Sequence, residues 1–284
     1  MNQRLTTVIL LASLLAVAQT GPQNSDRRKT EAQHLIAELH AKLSVINQPT
    51  SRDAELRAAC SKNCSDAKLL AEMADLRAQR LRASNQVVMQ IHQVVDAYVI
   101  DPANGDLGES EGNHLVHDLK QILGEAEATE PAAFLLDSPH GRALVLFYAI
   151  EAGGGASSTT LRAYQKSGNR LHLADVTGSD LDSYGNLWVK RLNASEPPRE
   201  LWLLLGGQAF GANGPNIRMR IYSFKGERFA TKWMPANVWG TFTVSLTREG
   251  FRVDGPYYQE DRERHDHYLV SPDGVYLCGP RECQ

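Results

Sequence analysis

The densest set of ionisable side chains runs Tyr257-Tyr258-Gln259-Glu260-Asp261-Arg262-Glu263-Arg264-His265-Asp266-His267-Tyr268. In an extended strand His265 and His267 share one face, a spacing that metal ions use. Asp261 or Glu263 is the nearest carboxylate to complete such a site, and no third ligand is evident from spacing. A solvated charged loop between strands accounts for the same residues. His114 and His117, three apart, meet on one face if their segment is helical.

A second unusual segment is Gly206-Gly207-Gln208-Ala209-Phe210-Gly211-Ala212-Asn213-Gly214-Pro215-Asn216. Its glycines would let backbone amides approach a ligand. It lacks the Gly-Lys-Ser/Thr ending of a phosphate loop and leads into no helix. It reads as a long hairpin connector, with Gly207, Gln208, Phe210, Asn213 and Asn216 as candidate binding residues and Phe210 an anchor at the tip.

Trp188, Trp202, Trp233 and Trp239 lie in the same half of the chain. They can stack on a sugar, although aromatic residues in strands are commonly core. Nucleophilic motifs are missing: there is no Gly-x-Ser-x-Gly elbow, no Ser-x-x-Lys and no His-Glu-x-x-His. A pair of hydrolytic carboxylates declares itself by spatial separation and leaves no spacing to read. No catalytic residue and no cofactor is assigned.

The four cysteines fall in two local pairs, Cys60 with Cys64 and Cys278 with Cys283. An even count suits disulfides in an oxidising compartment, with three connectivities open. Four residues apart in a regular helix is poor geometry for a bridge, and Ser61-Lys62-Asn63 relieves it by breaking the helix. Neither pair has the His or Cys neighbours of a zinc site.

The N-terminus agrees with an oxidising destination. Arg4, an apolar run from Thr6 to Leu15, and Ala16-Val17-Ala18 read as a secretory signal peptide over 1–18, cut before Gln19. No cysteine follows the run, which disfavours the lipoprotein route. No later stretch is long and apolar enough to span a membrane as a helix. The expected location is periplasmic or extracellular. Net charge is −3 over 284 residues, which gives no basic surface for nucleic acid. Asn63-Cys64-Ser65 and Asn193-Ala194-Ser195 are glycosylation acceptors in a host that modifies secreted proteins.

Residues 19–25 read as a disordered linker, 26–130 as a helical segment and 131–284 as an all-β domain. Ala32, Ile36, Leu39, Leu43 and Ile46 form a heptad seam that stops at Pro49. Ser51 can cap the next helix. Leu70, Ala74, Leu81, Val88, Ile91, Val95 and Tyr98 share one register, with Arg77 and Ser84 as polar exceptions. Unbroken to Val99, that helix is about 50 Å long. Its stripe needs a partner, either the shorter helix in an antiparallel hairpin or a second chain. The arginines 77, 80 and 82 read as a solvated face. Asp101-Pro102 ends the helix, and a short one follows from about Asn113 to Leu123, stopped by Gly124.

After Leu136 about eleven strands are expected, with Ala143–Ile150 and Leu201–Leu205 as runs buried on both faces. Residues 161–176 align without a gap to 219–234: Arg162 with Arg220, Tyr164 with Tyr222, Gly168 with Gly226, Arg170 with Arg228. A looser third unit runs from Phe251 to Cys278. Such self-similarity marks a repeat architecture. Two or three four-stranded units are too few to close a propeller.

The expected fold is α+β: an N-terminal helical hairpin, then an all-β antiparallel meander with two or three propeller-blade-like repeats. The expected function is non-catalytic binding of an unknown protein or polymer partner. The alternatives are a secreted hydrolase with loop carboxylates, or a coiled-coil assembly protein that oligomerises through its helices.

Overall fold

The computed structural model describes residues 22–62, 64–101, 109–138, 141–153, 156–168, 170–178, 181, 185–192, 200–211, 214–235, 238–257 and 262–278. The expected signal peptide, Asn193 and Asp261 lie outside them. The chain forms two compact units. One holds the described residues up to Tyr98 with Ile122–Ala126 and Glu151–Gly155. The other holds Val99–Gln121, Glu127–Ile150 and everything from Ala156 onward.

In the helical unit, α1 spans Pro22–Asn47, α2 Ser51–Lys62 and α3 Ala67–Val99. The first helix starts inside the segment expected to be a linker. Pro22 takes the first helical position, where its fixed φ suits the helix and its missing N–H costs nothing. Pro49 disfavours helical backbone at Gln48, and α1 ends just before it. The cap of α2 is Thr50 and not Ser51. Asp53 N donates to Thr50 Oγ1 at 3.3 Å and Thr50 N to Asp53 Oδ2 at 2.6 Å, a reciprocal box. Asp66 caps α3 by accepting from Lys68 N at 2.9 Å. Ala32, Ile36 and Leu43 of α1 are buried, as are Val87, Val88, Ile91, Val94 and Val95 of α3. Ser84 Oγ donates to Asn47 Oδ1 at 3.3 Å, tying the end of α1 to the middle of α3.

The register read along α3 holds only in its second half. Leu70 and Leu81 are 44% and 60% exposed, whereas Val88, Ile91, Val95 and Tyr98 are buried. The first half turns a different stripe, Met73, Leu76 and Arg80, toward α2.

The β unit opens with α4, Glu109–Leu123, whose last two residues group with the helical unit. It is closed by Gly124 at φ 50°. Thirteen strands follow among the described residues, in three antiparallel meanders. The first is β1 (Glu127–Ser138), β2 (Gly141–Gly153), β3 (Ala156–Ser167) and β4 (Arg170–Thr177). The second is β5 (Gly185–Leu192), β6 (Leu201–Gly211), β7 (Gly214–Phe224) and β8 (Phe229–Trp233), with the short β9 (Val238–Trp239) also pairing β7. The third is β10 (Thr243–Leu246), β11 (Gly250–Pro256), β12 (Glu263–Ser271) and β13 (Gly274–Leu277). Strand order follows chain order in each, and the described strands close neither a barrel nor a propeller.

The sheets stack through two cores. Leu201, Leu203 and Leu205 of β6 meet Val145, Phe147 and Ala149 of β2. Trp202 and Leu204, on the opposite face of β6, meet Phe251 and Val253 of β11. This is why the strand reads as an unbroken apolar run: both its faces are interior. The aligned segments 161–176 and 219–234 are the last hairpins of the first two sheets. Leu161 and Ala163 face the second sheet, and Met219 and Ile221 face the third in the same way. Both hairpins shift register at the matched place, between Ala163 and Tyr164 and between Ile221 and Tyr222. Gly168 and Gly226 both have positive φ, 61° and 107°.

Candidate functional site

The β unit contains a cavity of about 610 Å³ beside β1, the edge strand of the first sheet. Strand alternation builds its wall. Phe134 and Leu136 turn toward the core between the first two sheets, and Ala133, Leu135 and Asp137 take the other face. At Gly112, α4 runs past Leu135, and a Cβ there would sit 3.9 Å from Leu135 Cδ1. Asn113 adds an amide to the lining.

The charged groups come from three strands. Asp137 and Arg142 are register partners across the β1–β2 hairpin. Arg142 Nε donates to Asp137 Oδ1 at 2.7 Å. This guanidinium bond holds the Asp137 carboxyl below its ordinary range. Arg191 enters from β5. That strand is tied to β1 by Thr129 Oγ1, which donates to the Leu187 carbonyl at 2.8 Å. Arg191 has no hydrogen bond or ion pair among the described residues. The cavity therefore carries two guanidinium groups against one carboxylate, next to Ala133 and Leu135. Sequence reasoning singled out none of these residues. No local signal marks the cavity, because its lining comes from positions as far apart as 112 and 191.

The segment 206–216 differs from its expectation. It is no long connector: β6 runs through Gly211 and β7 begins at Gly214, so the glycines lie within paired strands. Gly206 serves packing, since a Cβ there would fall 2.0 Å from Trp188 Cζ2 on the neighbouring strand. Gly207 and Asn216 are buried and Gln208 is half-buried. Gln208 pairs Ile217 and Asn216 pairs Ala209, so the two polar side chains leave opposite faces of the hairpin. The Phe210 backbone lies in β6 opposite Pro215. The Phe210 side chain and Asn213 lie outside the described residues.

The charged segment divides by alternation along β12. Glu263, His265 and His267 share one face, as expected. Their imidazoles turn to different partners: His265 Nδ1 lies 3.1 Å from Asp254 Oδ1, and His267 Nε2 lies 3.2 Å from Thr247 Oγ1. The Asp254 bond, with Glu263 3.2 Å from His265 Nε2, raises the His265 pKa. Among the described residues no three His, Cys, Asp or Glu side chains converge as a metal site. On the opposite face Arg264 pairs with Asp266 and donates to Tyr268 Oη at 2.6 Å. Its guanidinium lies 5.6 Å from the Phe242 ring. Burial pushes the Tyr268 hydroxyl up, so it stays neutral.

The remaining candidates are placed as follows. Cys60 and Cys64 form a disulfide with their Cα atoms 4.3 Å apart. Cys278 is also disulfide-bonded, and Cys283 lies outside the described residues. His114 and His117 are exposed on α4, and Gln121 Nε2 is 2.9 Å from His117 Nε2. Trp202 is fully buried, Trp188 and Trp233 pack on the second core, and Trp239 is exposed. No described helix is long and apolar enough to cross a membrane. Comparisons with protein-family models, with curated proteins and with solved structures find no match to this chain.

Proposed function

We propose that this protein is an exported, non-catalytic binding module whose β unit captures a carboxylate-bearing ligand in the cavity beside β1. The carrying observation is Arg191, a guanidinium without an acidic partner among the described residues, on the wall of a cavity of about 610 Å³. Arginine presents a planar fork of donors that matches a carboxylate in two parallel bonds. Hydrogen bonds to charged groups contribute about 1.5–3 kcal/mol each. Ala133 and Leu135 offer apolar surface to the rest of the ligand. Asp137 takes up one arginine and leaves the other as the cation to be matched. Export rests on the N-terminal pattern and on the oxidised Cys60–Cys64 pair.

Benzoate, a carboxylate on a ring, is a simple probe. Titrated into the isotope-labelled protein, it should shift the amide resonances of residues 133–137 and 191 in a saturable way. Arg191→Gln should weaken that binding about tenfold. Shifts confined to other regions, or an unchanged affinity in the variant, would contradict the reading. Export is tested by N-terminal sequencing of the protein recovered outside the cytoplasm. Gln19 is the expected first residue, and an intact Met1 would oppose it.

A further inference from the structure

We infer that the helical unit holds a second, separate binding site, for a single anionic amphiphile, in the cleft between α2 and α3. The cleft has a volume of about 330 Å³, within the range of small-molecule sites. Leu56, Met73 and Leu76 form an apolar floor, and Arg57, Arg77 and Arg80 stand around it. Arg80 is already paired with Asp53. Arg57 and Arg77 are exposed and have no hydrogen bond or ion pair among the described residues. The local balance is three guanidinium groups against one carboxylate. An apolar floor with unmatched cations at its rim is complementary to a chain or ring that ends in one anionic group. A neutral apolar ligand would leave the cations unused, and a polar anion would leave the floor unused.

The frame around the cleft is braced. The Thr50–Asp53 box fixes the start of α2. Arg52 Nε donates to Glu72 Oε1 at 2.9 Å, joining α2 to α3. The Cys60–Cys64 disulfide spans the corner between the two helices. A cleft held in place before the ligand arrives loses less entropy on binding. The grouping was not legible in the sequence, where the arginines read as a solvated face. Arg57 lies twenty residues before Arg77, and only the fold of α2 against α3 brings them together.

The test compares octanoate with 1-octanol, which have equal chain length but differ in charge, by calorimetric titration of the full chain. Octanoate should bind in a saturable way, 1-octanol at least tenfold more weakly, and raised salt should weaken octanoate alone. Arg57→Gln and Arg77→Gln should each reduce octanoate affinity about tenfold. Both positions are exposed, and circular dichroism checks that the variants fold. Octanoate shifts at the amides of 53–57 and 73–80 should persist in Arg191→Gln, which separates this site from the cavity beside β1. In the wild type, octanoate should shift amide resonances at 53–57 and 73–80. Equal affinity for 1-octanol, or undiminished octanoate shifts at 53–57 and 73–80 in the Arg57→Gln/Arg77→Gln variant, would overturn the proposal. So would binding of anionic phosphatidylglycerol vesicles without any octanoate shift in the cleft, since that would assign the surface to a membrane.

Discussion

Two pairs of arginines, one pair in each unit of this molecule, are handled in opposite ways. In the β unit Arg162 and Arg220 recur at matched positions of a repeat and are 6% and 8% exposed. Arg220 donates to the neighbouring Met219 carbonyl at 2.7 Å. These cations belong to the repeat itself. In the helical unit Arg57 and Arg77 stand at the rim of a cleft without partners among the described residues. The difference follows from how each unit builds its interior. The first two sheets of the β unit bury both faces along β2 and β6, so a cation beside these strands must be absorbed by the protein. The helical unit relies on caps, ion pairs and half of a heptad stripe, which leaves apolar and basic groups open to a ligand. Arg191 makes the β-unit site because it lies in a strand of the stack but opens into a cavity.

This contrast can be broken by substitution. The largest effect should come from Trp202→Ala, which removes a fully buried side chain between the second and third sheets. A loss of about 3–5 kcal/mol is expected in denaturant unfolding, against less than about 0.5 kcal/mol for Leu81→Ala on the exposed stripe. Similar losses at both positions would erase the distinction. Next is Gly206→Ala, which pushes a methyl into the Trp188 ring and should cost about 1–3 kcal/mol. In a Trp188→Ala background the same change should cost far less. Smaller still is Thr50→Ala, which removes the α2 cap at a cost of about 1 kcal/mol. Ser51→Ala should do almost nothing, and the reverse order would return the cap to Ser51.

The smallest effect is the pH dependence of exposed ion pairs, weakened further by salt. Asp53 is held below its ordinary 3.8 by hydrogen bonds from Arg80 and Thr50. Its contribution is complete above that value and lost as the pH falls through the depressed one. His265 runs the other way. Its pKa is raised above 6.5 by Asp254 and Glu263, so its contribution is complete below 6.5 and fades as the pH rises through the folded value. Melting temperatures measured across pH should show an alkaline-side decline that His265→Gln removes and an acid-side decline that Asp53→Asn removes.

Much of the fold was legible in local pattern. The runs Ala143–Ile150 and Leu201–Leu205 declared strands interior on both faces. The alignment of Arg162-x-Tyr164 with Arg220-x-Tyr222 located hairpins that share even their register shift. What was illegible depends on neighbours distant in sequence. The role of Gly206 depends on Trp188, which reaches it only through the β5–β6 register. A glycine-rich stretch viewed alone looks like a loop. The change of stripe along α3 depends on α2, which faces Met73 and Leu76 and leaves Leu70 and Leu81 exposed. The cavity beside β1 draws on α4, two strands of one sheet and a strand of the next, and no spacing rule joins Gly112 to Arg191. Both sites therefore come from packing, while the sheets that frame the first were readable from periodicity.

The most direct test of carboxylate capture beside β1 is titration of the full chain with benzoate and with benzyl alcohol, followed at the amide resonances of residues 133–137, in the wild type and in Arg191→Gln. Saturable benzoate binding is expected, with weaker binding of the alcohol and about a tenfold loss for benzoate alone in the variant. Equal binding of both compounds, or of benzoate by both proteins, would contradict it.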